Sequence, residues 1–191
     1  MTAATLERTG KDLRTIGLVG GGHFFSHFYL LALPPLFPIL HAELGTSYTA
    51  LGGLMSAYAL AAGIGLMPVG FVVDRHGAAW PLIAGLTLLS GSVALMTFAD
   101  SYWALLGLSF VAGLGNSVFH PADYAILNAR VPERRLGRAF AAHTFSGYLG
   151  FAAAPLVTVA LAEALGWRAA LGLCGLAGLL MAAVLLAQHF W

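Results

Sequence analysis

The sequence predicts an all-α membrane protein, with six transmembrane helices arranged as an inverted three-plus-three repeat. Composition is the first reason. Of 191 residues, 59% are hydrophobic and only 9% charged, whereas soluble domains carry roughly 25% charged residues. The second reason is that the apolar residues fall into six runs, each close to the ~20 residues that a helix needs to cross a bilayer. The third is the placement of charge. Of the 9 Lys and Arg residues, all but Arg168 fall on one side of the resulting span map.

Residues 1–15 are polar and of mixed charge, and are expected to form a cytoplasmic N-terminal segment ahead of a transmembrane domain over 16–191. The first run, Ile16–Leu40, is long and lacks a small-residue cleavage site, so it reads as a retained helix and not a signal peptide. It carries Gly20-Gly21-Gly22, then His23 and His27, then Pro34-Pro35. The second, Tyr48–Val73, contains Pro68 and runs into Gly70-Phe-Val-Val-Asp74-Arg75-His-Gly77. The third is Trp80–Ala99. The fourth, Trp103–Leu127, holds Gly113-Leu-Gly-Asn116-Ser-Val-Phe-His120-Pro121-Ala-Asp123. The fifth, Arg138–Leu161, holds His143, Gly147, Gly150 and Pro155, and the sixth, Ala169–Gln188, holds Cys174 in a glycine-rich stretch. Small residues within spans let helix backbones approach closely. Pro68, Pro121 and Pro155 are expected to kink their helices, which neighbouring helices and cavities make tolerable.

Connections alternate between the two sides and are short. Arg8, Lys11, Arg14, Arg75, Arg130, Arg134, Arg135 and Arg138 share one side, so the positive-inside rule puts both termini in the cytoplasm. Trp80, Trp103, Trp167 and Trp191 fall at predicted span ends, where an aromatic belt belongs. The second and fifth helices each leave the membrane through a proline, an acid and, three residues later, a glycine: Pro68…Asp74…Gly77 and Pro155…Glu163…Gly166. Because the two units enter from opposite sides, this match predicts an inverted repeat.

Ionisable groups inside a span are costly and mark solute or proton pathways. His23 and His120 each sit about 10 Å inside the membrane from the arginine-rich side, counting 1.5 Å per residue. His27 lies one helical turn beyond His23 on the same face. Asp123 lies a turn nearer the arginine-rich side than His120. His143 enters at similar depth on the fifth span, close to the headgroups, and Asn116, Tyr29, Tyr58 and Tyr124 are candidate hydrogen-bonding groups. Histidine titrates near neutral pH and can carry a coupling proton. His23-x-x-x-His27 also has the spacing of two metal ligands, which His120 and Asp123 would complete to four. Carboxylates to orient those histidines are missing, so the reading carried forward has no metal and no cofactor. No basic patch with interleaved aromatics suggests nucleic-acid binding. Cys174, the only cysteine, cannot form an intrachain disulfide and reads as a small buried hydrophobe.

These residues carry a family resemblance. Gly70-x-x-x-Asp74-Arg75-x-Gly77 resembles the signature loop after helix 2 of major facilitator superfamily transporters. Arg134-Arg135-Leu-Gly137-Arg138 resembles the family's second cytoplasmic signature, and Gly150-x-x-x-Ala154-Pro155 is similar to the helix-5 motif of its proton-coupled exporters. His23 and Ser117-Val-Phe-His120-Pro121 resemble the fosmidomycin-resistance-like subgroup. The chain departs from these patterns at Ala78-Ala79, Ser109, Ala122 and His27, where the family or the subgroup carries basic, arginine and acidic residues. The resemblance implies half of the family's twelve-helix fold, in a bacterial cytoplasmic membrane. It implies a proton-coupled transporter of a small organic solute, with His23, His27, Asn116, His120, Asp123 and His143 as the solute- and proton-binding set. It further implies that Gly70, Asp74, Arg75, Gly77, Arg135 and Arg138 form a conformational latch against a second six-helix half. That half would be a second copy, a separate partner or a missing C-terminal half, and the remaining partners are the lipid bilayer and the solute. A strong anion is disfavoured as cargo because no Arg or Lys lies deep in a span. Two other readings use the same residues: a non-transporting assembly subunit, and a histidine-based metal protein. An intramembrane enzyme built on His143 and Ser146 lacks the Gly-x-Ser-x-Gly context of a serine nucleophile.

Overall fold

The computed structural model describes the backbone of residues 3–188 and the side chains of residues 10–188. Trp191 and the side chain of Arg8, both used in the span map, lie outside the described residues. The fold consists of α1 (Ala3–Leu30), α2 (Phe37–Leu44), α3 (Tyr48–His76), α4 (Ala79–Leu95), α5 (Tyr102–Asn116), α6 (Phe119–Arg130), α7 (Glu133–Leu165) and α8 (Trp167–Ala187), with single 3₁₀ turns before α2 and after α4. These make six spans long and apolar enough to cross a membrane, and the protein is a multi-pass membrane protein.

Two of the spans are interrupted. In span 1 the sequence Pro34-Pro35 stops α1, and the chain passes through a 3₁₀ turn into α2. In span 4 the break falls at Ser117-Val118, between α5 and α6. Pro121 explains it. A proline lacks the N–H that would bond the Ser117 carbonyl, so the regular ladder resumes only with Ala122 N–H donating to Val118 C=O at 3.0 Å. Pro121 therefore occupies the first turn of a new helix, where a missing N–H costs nothing. The expected kink inside a continuous fourth helix is corrected to a break just before the proline. Pro68 and Pro155 do lie inside continuous helices, α3 and α7.

The ends of spans 2 and 5 match. Gly77 (φ 82, ψ 164) closes α3 and Gly166 (φ 85, ψ 154) closes α7, and each N–H donates to the carbonyl four residues back. Both need a positive φ, which glycine adopts without a Cβ clash. Packing repeats the relationship. Span 1 packs on span 5, span 4 on span 2, and span 3 on span 6. Exchanging 1 with 4, 2 with 5 and 3 with 6 maps this pattern onto itself, as an inverted repeat requires. Glycine sets the distance at both long seams: a Cβ on Gly150 would strike the Phe24 carbonyl, and one on Gly113 the Tyr58 carbonyl.

Spans 2 and 5 are also the least covered. Only 22% of each apolar window is buried, against 39–56% in the other four spans. The interior divides into a large apolar cluster including Leu36, Leu54, Leu86, Leu89 and Leu171, and a small one of Val19, Leu127, Val131 and Ala139 near the arginine-rich face. His23 falls between the two clusters along α1, and Asp123 between them along α6.

Candidate functional site

Asp123, fully buried, is the centre of the site. Its Oδ2 lies 3.0 Å from Nε2 of His143 and 3.1 Å from Nδ1 of His23. The three residues come from α6, α7 and α1, so three separate spans must pack correctly to form the site. The two imidazoles stack, with ring centroids 3.6 Å apart and planes 25° apart. Both histidines are almost entirely buried. Two hydroxyls turn back on their own helices beside them: Ser26 donates to the His23 carbonyl at 2.9 Å, and Ser146 to the His143 carbonyl at 2.7 Å. The second carboxylate oxygen, Oδ1 of Asp123, has no hydrogen-bond partner among the described residues.

Room for the rings comes from Gly147. A Cβ there would stand 2.9 Å from both His23 Nε2 and His27 Cε1. The glycine cluster of span 5 thus serves two ends, since Gly150 sets the helix distance and Gly147 leaves space for imidazole.

From this buried centre a row of rings leads outward. His27 lies 4.4 Å from His23, centroid to centroid, and 4.3 Å from Phe151. His120 lies 5.5 Å from His23 and 5.7 Å from Tyr124. His27 is half-buried, whereas His120 and Tyr124 are exposed. Asn116 sits at the last residue of α5, at the break of span 4, with its Oδ1 buried and unpartnered among the described residues.

The sequence-predicted set is therefore only partly brought together. His23 and Asp123 make direct contact, and His27 and His120 form the outer edge. His143, placed by sequence close to the headgroups, is a central member. It is 3% exposed and bonds Asp123 directly across the α6–α7 contact. Tyr29 and Tyr58 are not at this site: Tyr29 donates to the Cys174 carbonyl at 2.8 Å, in the core towards the opposite face.

The donor set proposed for a metal is corrected as well. The donors within 4.8 Å of one another are His23, Asp123 and His143; His27 and His120 do not join them. Both imidazole nitrogens face the same carboxylate oxygen, that of His143 within a hydrogen bond and that of His23 without one.

The residues read as a latch lie apart from this centre. Asp74 and Arg75 are exposed at the end of α3, and Gly77 caps it. Asp74 lines an open groove of about 610 Å³ with Gly77, Trp80 and Arg130. Arg135 reaches across to α1 and donates to Asp12 at 2.8 Å, while Arg138 is exposed. Asp12, 7% exposed, is a partner that the sequence reading missed; it lay in a segment read as solvent-facing.

Six apolar spans enclosing a buried acid and two histidines define a polytopic membrane protein with a polar interior. The match to a model of the Major Facilitator Superfamily over residues 19–189 makes the assignment specific, and the chain belongs to that family. It is similar to the uncharacterized MFS-type transporter YfnC of Bacillus subtilis, at 26% identity over 85% of this chain and 40% of that protein. It is also similar to the fosmidomycin resistance protein of Escherichia coli, at 24% identity over 81% of this chain and 38% of that one. A solved structure described under substrate recognition in proton dependent oligopeptide transporters superposes with a TM-score of 0.76, at 19% identity, covering 91% of this chain and 41% of that one. The chain spans about two fifths of the length of the curated relatives it matches.

Proposed function

We propose that this chain is one half of a proton-coupled transporter for a small organic solute, with both termini in the cytoplasm. The observation that carries this reading is the Asp123–His143–His23 cluster. A carboxylate buried among apolar helices must be compensated. With both imidazoles neutral the cluster has a net charge of −1, and one added proton makes it neutral. A second added proton would put two cations 3.6 Å apart in a stack, which like-charge repulsion opposes. The cluster thus cycles one proton. His27 and His120 connect it to the exposed edge, where a solute would sense its charge state.

The low coverage of spans 2 and 5 supports a second six-helix half on that face, with Asp74 and Arg75 as the latch. A relative named for fosmidomycin resistance supports a drug-like or other small organic cargo. In proteoliposomes holding the chain with its second half, an imposed pH gradient should drive solute movement. Asp123→Asn should abolish that drive while membrane insertion stays normal. Gradient-driven transport at the native rate in Asp123→Asn would refute the assignment.

A further inference from the structure

We propose that a buried cavity between α1, α3 and α5 binds one ordered water, bridging the hydroxyls of Tyr58 and Ser109. The cavity measures about 20 Å³, and Tyr29, Met55, Tyr58, Ser109 and Leu171 are among its lining residues. About 10–15 Å³ is enough for one water, provided two to four polar groups surround it. The Tyr29 hydroxyl is already engaged, donating to the Cys174 carbonyl and lying beside Ser90. Tyr58 Oη and Ser109 Oγ are buried and have no hydrogen-bond partner among the described residues.

Buried hydroxyls in the spans commonly turn back to a carbonyl of their own helix. Ser92 does so to Leu88, Thr87 to Ile83, Ser117 to Leu114 and Thr158 to Ala154, at 2.7–2.8 Å. Ser90 and Ser109 do not. Ser90 lies beside the Tyr29 hydroxyl, whereas Ser109 lines the cavity. A water there accepts a hydrogen bond from one of Tyr58 and Ser109 and donates to the other, so that both hydroxyls are satisfied. The site lies at the α3–α5 seam, and Tyr29 is about 9 Å along α1 from His23, towards the opposite face. It is separate from the proton-binding cluster and does not depend on it.

X-ray hydroxyl-radical labelling read by mass spectrometry tests this on the intact chain, because radicals form at ordered waters inside the protein. Phe119, an aromatic residue 1% exposed, is the control. Tyr58 should be labelled faster than Phe119, and that excess should be lost in Ser109→Ala. Labelling of Tyr58 at the Phe119 rate in the native chain would overturn the proposal. So would an excess that Ser109→Ala leaves unchanged, because the water would not then be a bridge.

Discussion

Two ionic sites on opposite sides of this protein use the same chemistry with opposite burial. The His23–Asp123–His143 cluster is sealed among three spans, its carboxylate wholly inaccessible. The other joins α2 to the start of α8: Glu43 accepts from Arg168 and, at 2.6 Å, from the Trp167 indole N–H. Arg168 also stacks over the Trp167 ring at 4.2 Å and donates to the Ala99 carbonyl at 3.3 Å. Its members remain 43% and 35% exposed. Water and salt screen the second pair; nothing but protein compensates the first. The difference teaches where a charge can lean on solvent and where it must rely on protein groups alone: the clamp keeps water at its side, and the buried carboxylate has only its neighbours.

The widest gap between the two sites should appear when the carboxylate is stranded. His23→Phe with His143→Phe leaves Asp123 unpaired and should cost about 3–5 kcal/mol of stability, the usual cost of an uncompensated buried charge. Thermal unfolding of the detergent-solubilised chain measures it, and a loss no greater than that of Glu43→Gln would erase the contrast between the two sites.

A smaller effect is expected from crowding the site. Gly147→Ala should destabilise by about 1–3 kcal/mol, typical of overpacking, and should disturb the His23 ring signals in NMR. Gly63→Ala, in α3 with nothing within 4 Å of the new Cβ, is the control: it should leave the His23 signals unchanged and raise stability by up to about 1 kcal/mol through helix propensity.

The smallest effect belongs to the clamp. Glu43→Gln should cost less than about 1 kcal/mol, and the difference from native should vanish in 1 M salt. A larger, salt-insensitive loss would show that the Trp167 hydrogen bond carries the contact, and would narrow the contrast with the buried cluster.

How far these sites could be read from the sequence follows from the physics of each part. The spans are legible because a bilayer imposes length and apolarity on every one of them, and Pro68/Gly77 and Pro155/Gly166 betray the repeat through backbone chemistry alone. Span ends are less legible. Helices continue past the hydrocarbon into polar residues, so α7 starts at Glu133, ahead of the span read from Arg138, and α1 begins by Ala3 within the polar N-terminal segment. The contact of His143 with Asp123 joins positions 20 residues apart on different helices, and no periodicity in either helix encodes it. His23 and His27 were paired correctly because one turn of one helix sets their relation. Asp12–Arg135 and Glu43–Arg168 cross between helices and left no local signal.

The central claim is that Asp123, His143 and His23 together take up one proton. Nitrogen-15 NMR of the histidines, in the intact chain in bilayers and titrated from pH 8 to pH 5, tests it most directly, with Asp123→Asn as reference. The account predicts one imidazolium appearing across the His23–His143 pair, dependent on Asp123. Two imidazolium signals rising together, or two neutral rings throughout, would contradict it.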